Sequence, residues 1–479
     1  MPLVLGVDSS TRSTKVEVRD ADTGALVATG RSPHPTTTPP RSEQSPSTWW
    51  TALLEAIRQT GEREIAAISV AGQQHGMVIT DEAGAVLRPA KLWDDTESAP
   101  EAAQLVKQFG AERWASSVGV VPSAAITVTK LAWLSRHERA VFDRIGRIML
   151  PHDWLTFRLT GRVVTDRGEA SGTGYWSPRQ GQWRPDILRR LDSSVGESGW
   201  LERLPRVLGP AERADWLAAP VHELVGLRGR PIVSAGTGDN MAASLGVGLR
   251  PHQTCMSLGT SGTVFTVSDT AVADASGAVA GYADATGNFL PLVSTDNATN
   301  VTATVARLLG VDEDALGELA LAAEPGGGGT VMLPYFDGER TPDRPDATGV
   351  LHGLRSDASR EQVARAAFEG VICSLLDGAD AMDAAGVRLS DTPIRLVGAG
   401  SRSIAYRQIL ADLAQRPVMT IEGDDHVATG ACVQATAALA GVNPSEVIDV
   451  WELGDGEVTE PSDLDADAVR QAFAEVRDA

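Results

Sequence analysis

The sequence predicts an α/β protein built as two domains, and three observations predict it. The chain has 479 residues, beyond the roughly 250–300 at which single cores stop growing. Short β-branched strands alternate with amphipathic helices. A strand, a Gly/Ser/Thr turn and a second strand occur at residues 3–19 and again at 254–267.

Leu3 to Val7 is an apolar strand, Asp8 to Thr14 a run of small polar residues, and Lys15 to Arg19 alternates with period two. Asp22-Thr23-Gly24 turns the chain into Ala25-Leu26-Val27-Ala28. This is a meander, with no helix directly after the first strand as P-loop and dinucleotide-binding domains require. Ser47 is expected to cap a helix carrying Trp49, Trp50, Leu53, Leu54 and Ile57 at helical spacing. Ile65 to Ala71 is a buried strand ending in Gly72-Gln73-Gln74-His75-Gly76. Pro231 to Ala235 is another, ending in Gly236-Thr237-Gly238-Asp239-Asn240 before a small-residue helix, Met241 to Gly248. The second half restarts with Thr254 to Leu258, the turn Gly259-Thr260-Ser261-Gly262-Thr263, and Val264 to Val267. The domain boundary is expected near 245–250, dividing residues 1–245 from 246–479. Gly326 to Gly329 reads as a flexible loop tip, and the tail from Pro444 as a peripheral helix with a solvated acidic surface.

The net charge of −21 argues against nucleic acid or an anionic membrane as partner. Cys255, Cys373 and Cys432 lie far apart, with neither metal-ligand spacing nor a disulfide framework. No apolar run approaches the roughly 20 residues of a membrane helix, and the N-terminus lacks a signal pattern, so a cytoplasmic location is expected. Eleven tryptophans invite sugar stacking, but Trp49, Trp50 and Trp133 sit at core spacing.

The common nucleotide, metal and nucleophile motifs are absent. Two Gly/Ser/Thr turns between strands remain. Such turns present successive N–H groups and hydroxyls to an anion, although each alone is also an ordinary hairpin turn. Asp8 beside the first suits Mg²⁺ held through water, because that ion prefers few carboxylates and several waters.

Asp8-Ser9-Ser10-Thr11-Arg12-Ser13-Thr14-Lys15 resembles the first phosphate loop of the actin-like ATPases. Within that superfamily the chain resembles the FGGY carbohydrate kinases, nearest to their bacterial xylulokinase branch. The resemblance runs from about residue 4 to about 440. It rests on the order of Ser42-Glu43-Gln44, Ala71 to Gly76, Leu92-Trp93-Asp94-Asp95, Gly238-Asp239-Asn240 and Ser257 to Gly262. Leu333-Pro334-Tyr335, Gly338 to Pro342, and Gly349 to Leu354 before Ala366-Ala367-Phe368-Glu369 complete it. It implies two actin-like ATPase (ribonuclease H-like) domains with a cleft between them, closing on MgATP and a small sugar. D-xylulose is the implied acceptor, with ribulose or another ketose or polyol as the alternative, and homodimer formation is left open.

A hydroxyl attacking phosphorus must lose a proton, and the resemblance makes Asp239 the base. From its own context Asp239 reads equally as a cap for a helix beginning at Asn240. Gln74 and His75 match the family's sugar-contacting pair, since both donate and accept. Asn240 is a partner for a further hydroxyl. Asp95 is a second-tier sugar candidate or a solvated loop carboxylate. On the nucleotide side the resemblance implies Ser10, Thr11, Thr260, Ser261 and Gly262 around phosphate. Gly398, Ala399, Gly400, Arg402 and Ser403 resemble the adenosine loop. Gly430-Ala431 reads as a nucleotide-side helix or as helix packing. The chain departs from the family pattern at Ser10 and Ala399, where glycine is usual. On the sugar side, Glu169 stands where Asp is frequent and Asp94 where Asn is common. An actin-like scaffold, the reading from another class, would lack the Gly72–Gly76 turn and Asp239. A binding-only pseudokinase would not need Asp8 and Asp239.

Overall fold

The computed structural model describes residues 2–423 and 425–479. It divides into two compact units, each with its own sheet. The first unit comprises Met1–Gly248, Asp269–Leu290 and Gly423–Gly454, and the second Leu249–Ser268, Pro291–Glu422 and Asp455–Ala479. Neither unit is one continuous stretch, because late segments return to complete the first.

In the first unit, the strands Leu3–Ser9, Ser13–Asp20 and Leu26–Pro33 form an antiparallel meander. Leu3–Ser9 then pairs in parallel with Ile65–Gly72, which pairs in parallel with Ile232–Ser234. Arg213–Trp216 closes that edge antiparallel. Val4, Leu5 and Val7 are fully buried, as a central strand covered on both faces requires. One cover is the helix Pro46–Thr60, which turns Trp49, Trp50, Leu53, Leu54 and Ile57 into the core. Its cap is Ser45, with Pro46 in the first turn; Ser47, the expected cap, lies inside the helix. The other cover includes the helix His426–Ala440, whose backbone lies so close that a Cβ on Gly6 would stand 2.2 Å from Ala428 O. A Cβ on Gly430 would stand 1.8 Å from Ala242 O in the helix Asp239–Gly246. Of its two readings, Gly430 therefore has the packing role.

The second unit repeats the scheme. Thr254–Leu258 and Gly262–Thr266 form a hairpin, and Phe289–Thr295 continues the meander. Ile394–Val397 and then Val418–Ile421 add in parallel, and Gly456–Thr459 closes the edge antiparallel. The similarity expected from two short turns thus extends over a whole sheet. The C-terminal tail is more than a solvated helix. Val447, Ile448 and Trp451 are buried in the first unit, Gly456–Thr459 is a sheet strand, and Ala466–Asp478 buries Phe473 in the second. Gly326 to Gly329 form a tight turn with φ between 54° and 88° rather than a free tip, and Gly327 is buried.

Candidate active site

Three neighbouring strands of the first unit end together. Ser9 pairs with Gly72, and Gly238 pairs with Gly72 from the other side. Asp8, the Gln73–His75 turn and Asp239 therefore emerge at the carboxyl edge of adjacent parallel strands, where open α/β sheets place ligands. This placement follows from the pairing register alone.

Asp8 lies opposite Lys15 in the first hairpin, and Lys15 Nζ reaches its Oδ2 at 3.1 Å. The same ammonium meets Asp425 Oδ2 at 3.2 Å, and Ser10 Oγ donates to Asp8 Oδ1. Burial, then the Asp425 charge, push the Asp8 carboxyl up to about 6, against the pull of Lys15 and Ser10. Two carboxylates around one ammonium leave a net negative spot bordered by hydroxyls. That donor set fits a hydrated Mg²⁺, which takes one or two carboxylates and keeps water. Thr11 is tied in place on three sides. Its Oγ1 donates to Gln73 Oε1 at 3.2 Å and accepts from Trp93 Nε1 at 2.9 Å, and its carbonyl accepts from Gln44 Nε2.

A chain of hydrogen bonds joins three of the expected sugar-side residues. Asn240 Nδ2 donates to Gln74 Oε1 at 2.7 Å and to Asp239 Oδ1 at 3.1 Å, and Asn240 N reaches the same Oδ1 at 2.9 Å. The helix begins at Asp239 itself, with Gly238 as its cap. Asp239 is thus in the first turn and does not cap a helix from Asn240. The residue keeps part of its surface open. Even so, burial of the carboxyl, helped by the Asp8 charge, raises it to about 7. That value lets a carboxylate accept a proton near neutral pH.

His75 has φ of 65°, a left-handed conformation uncommon outside glycine. Its ring is held at both ends: Nδ1 donates to Gly172 O at 3.0 Å, and Nε2 lies 3.2 Å from Tyr282 Oη. A carbonyl only accepts, so Nδ1 carries hydrogen.

Asp95 stands apart from this chain. It is fully buried, so its alternative as a solvated carboxylate does not hold. Its oxygens accept from Lys91 Nζ, both at 3.1 Å, from Ser42 N at 3.0 Å and from Glu97 N at 3.2 Å. Lys91 lies over the Trp133 ring at 4.0 Å, which makes this indole a wall for an ion-pair cluster. Glu43, Asp95 and Glu97 approach one another closely enough for a metal, but the Lys91 ammonium already serves all three.

Sequence reasoning missed a buried acidic group behind Asp239. Asp166 accepts from Gly168 N, Glu169 N and Thr237 Oγ1, which ties the helix Arg167–Ser171 to the turn carrying Asp239. His152 lies 3.2 Å from Asp153 Oδ1 and 3.3 Å from Asp166 Oδ1. Burial opposes its protonation, but the two carboxylates outweigh burial and raise it. Gly72 and Gly236, at the heads of the turns carrying Gln74 and Asp239, pack on this histidine; a Cβ on Gly236 would sit 2.7 Å from its Nδ1. The signal available in sequence was faint: an aspartate before a short helix, and a histidine beside an aspartate.

In the second unit, Thr260 and Ser261 are exposed at the hairpin tip and Gly262 is buried below them. Thr299 N and Oγ1 both bind Gly259 O, at 3.0 and 2.8 Å, and Ala298 N binds Thr260 O. Gly398 ends a parallel strand with φ of 88°, and a Cβ there would stand 2.6 Å from Leu258 O. Only glycine fits without displacing the strand that carries the hairpin. Ala399–Arg402 is a short 3₁₀ turn in which Ser401 Oγ binds Gly398 O. Ser403 caps the following helix, Ile404–Ala414. Gly398 and Ala399 face solvent, and Ser403 is half-buried.

The model of the FGGY family of carbohydrate kinases, N-terminal domain, matches residues 3–246, and that of the C-terminal domain residues 254–439. The chain is 44% identical to the xylulose kinase of Streptomyces coelicolor over 100% of its own length and 96% of that protein. It is 33% identical to the xylulose kinase of Escherichia coli, covering 93% and 91%. The crystal structure of xylulose kinase from Bifidobacterium adolescentis superposes with a TM-score of 0.88 at 38% identity, covering 99% of both chains. With the mixed α/β, two-sheet architecture of the actin-like ATPase sugar kinases and both family models matched in order, the chain belongs to the FGGY family of carbohydrate kinases.

Proposed function

We propose that the protein transfers the γ-phosphoryl group of ATP to the 5-hydroxyl of D-xylulose, giving D-xylulose 5-phosphate and ADP. The observation that carries the chemistry is the Gln74–Asn240–Asp239 chain, which ends on a carboxyl raised to about 7. Asp239 takes the proton of the attacking hydroxyl as the new P–O bond forms and the bond to the bridging oxygen of ADP breaks. Gln74, His75 and Asn240 hold sugar hydroxyls. Asp95, its oxygens engaged by protein groups, supports the Trp93 loop that braces Thr11. On the nucleotide side, Ser10 and Thr11 of the first loop and Thr260, Ser261 and Gly262 of the second hairpin offer hydroxyls and N–H groups to phosphate. Gly398, Ala399, Gly400, Arg402 and Ser403 form the adenosine loop. Bound at Asp8 through water, Mg²⁺ would neutralise phosphate charge. The family boundary between residues 246 and 254 supports dividing the chain into a sugar side, 1–245, and a nucleotide side, 246–479.

The choice of D-xylulose rests on the xylulose kinases that match over almost the whole chain. A panel of D-xylulose, D- and L-ribulose, L-xylulose, glycerol and gluconate, read by ADP release, tests it. D-xylulose should show the highest kcat/KM; preference for another sugar would replace the substrate and keep the reaction.

A further inference from the structure

Glu169 is buried, with 1% of its surface exposed, yet neither carboxyl oxygen has a hydrogen-bond partner of normal geometry. Gln74 Nε2 is buried and equally unpartnered, and its amide faces this carboxyl. The two groups meet beside the Asp239 turn: a Cβ on Gly238 would stand 2.6 Å from Glu169 Oε1 and 2.8 Å from Gln74 Cγ. Asp166 accepts on both sides, from the Glu169 backbone N–H and from the Thr237 hydroxyl. An isolated buried carboxylate would be expensive. The charged groups facing Glu169 are Asp166, Asp153 and Asp239, and they hold it well above the usual carboxylate range after burial has raised it. His152, whose protonation Asp153 and Asp166 favour, lies against both of those carboxyls. Burial and the three neighbouring carboxyls thus favour the protonated form of Glu169, which has one donor and one acceptor to offer.

We propose that Glu169 is a positioning residue for phosphoryl transfer: it anchors the Gln74 amide, and through Gln74 and Asn240 it fixes the Asp239 carboxylate toward the sugar. Gln74 has one flexible side chain and two jobs. Its Oε1 must accept from Asn240 Nδ2, and a rotated amide would present a donor to that donor. A partner at Nε2 prevents the rotation. The Glu169 carbonyl is the buried acceptor in place for it.

This inference rests on Asp239 as the base, so wild type and Asp239→Asn are measured first with D-xylulose and MgATP. Undiminished turnover by D239N would overturn that reading and this inference with it; a loss of turnover leaves the Glu169 variants to decide this inference alone. Glu169→Ala should lower kcat about 10–100-fold, the scale of a small misplacement at a reacting group, with the KM for ATP within about twofold. Glu169→Gln keeps a carbonyl acceptor and a donor without charge, and should recover most of the loss. Glu169→Ala combined with Gln74→Ala should be no worse than Gln74→Ala alone, because Glu169 acts through Gln74. Glu169→Asp, one methylene short of Gln74, replaces Glu169→Ala if that variant does not fold, and should show the same loss. The inference falls if E169Q is as impaired as the truncations, if the two losses multiply, or if the KM for ATP rises in parallel with the fall in kcat.

Discussion

Replacing Asp239 by Asn should stop turnover and stabilise the protein, in a pH-dependent way. In the folded chain the carboxyl is raised from 3.8 to about 7, chiefly by burial and then by Asp8. Between those two values the folded state holds a proton that the unfolded chain has released. Stability at this residue therefore falls as pH rises through the window, and the whole cost is present above pH 7. Taken in full the shift amounts to about 4 kcal/mol. Part of the residue remains open to water, and screening reduces this to about 1–3 kcal/mol. Asn keeps an oxygen for the hydrogen bonds from Asn240 and carries no charge. Thermal unfolding at pH 8 should show D239N above wild type by about 2–10 °C, with the difference shrinking toward pH 5. The kcat of D239N should fall about 10²–10⁴-fold, and the wild-type kcat/KM for sugar should decline below a pH near 7. Equal melting temperatures at pH 8, or a gain that does not change with pH, would refute a strained, destabilising base.

His75→Ala should raise the KM for D-xylulose by about tenfold or more, equivalent to roughly 1–3 kcal/mol, with the KM for ATP unchanged; equal rises would mean that the Gly172 and Tyr282 contacts serve folding alone. Gly398→Ala places a Cβ against Leu258 O at a positive φ, so the KM for ATP should rise about tenfold while the sugar KM holds, and a reversed pattern would remove the loop from the nucleotide side. Chelation should abolish turnover and added Mg²⁺ restore it; Asp8→Asn should then need about tenfold more Mg²⁺ for half-maximal rate, as loss of one of few charged partners predicts, and an unaltered requirement would take Asp8 away from the metal.

The parts of this molecule that were legible beforehand are those fixed by local chemistry. Apolar strands ending in glycine-rich turns announced Gln74, His75, Asp239 and Asn240, because a turn after a buried strand must expose its polar residues. The indole pair Trp49 and Trp50 announced its own burial. What stayed hidden depends on distant partners. Nothing near Glu169 in sequence indicates that Gln74 and Asp239 will surround it, and nothing near Lys15 indicates Asp425. The solvated reading of Asp95 failed for the same reason: its counter-ion, Lys91, is four residues back, but whether that pair is solvated or sealed depends on the Trp133 wall. The tail misled because acidic composition conceals one buried ring, Phe473, and one edge strand.

The carboxyls of the first unit are a liability that the fold must offset. Asp8, Asp153, Glu169 and Asp239 are all raised, with burial the largest cause in each, so ionising any of them in the folded state weakens it. Among the described residues, Lys15 pairs with Asp8 and His152, its protonation favoured by the carboxylates beside it, lies against Asp153. Packing supplies the compensation. The strand bearing Asp8 is covered at Gly6 by the helix His426–Ala440, and the helix that begins at Asp239 meets that same helix at Gly430. One late segment of the chain thus packs against the two elements that carry Asp8 and Asp239. Residues 423–454 thereby belong to the first unit although they follow most of the second in sequence.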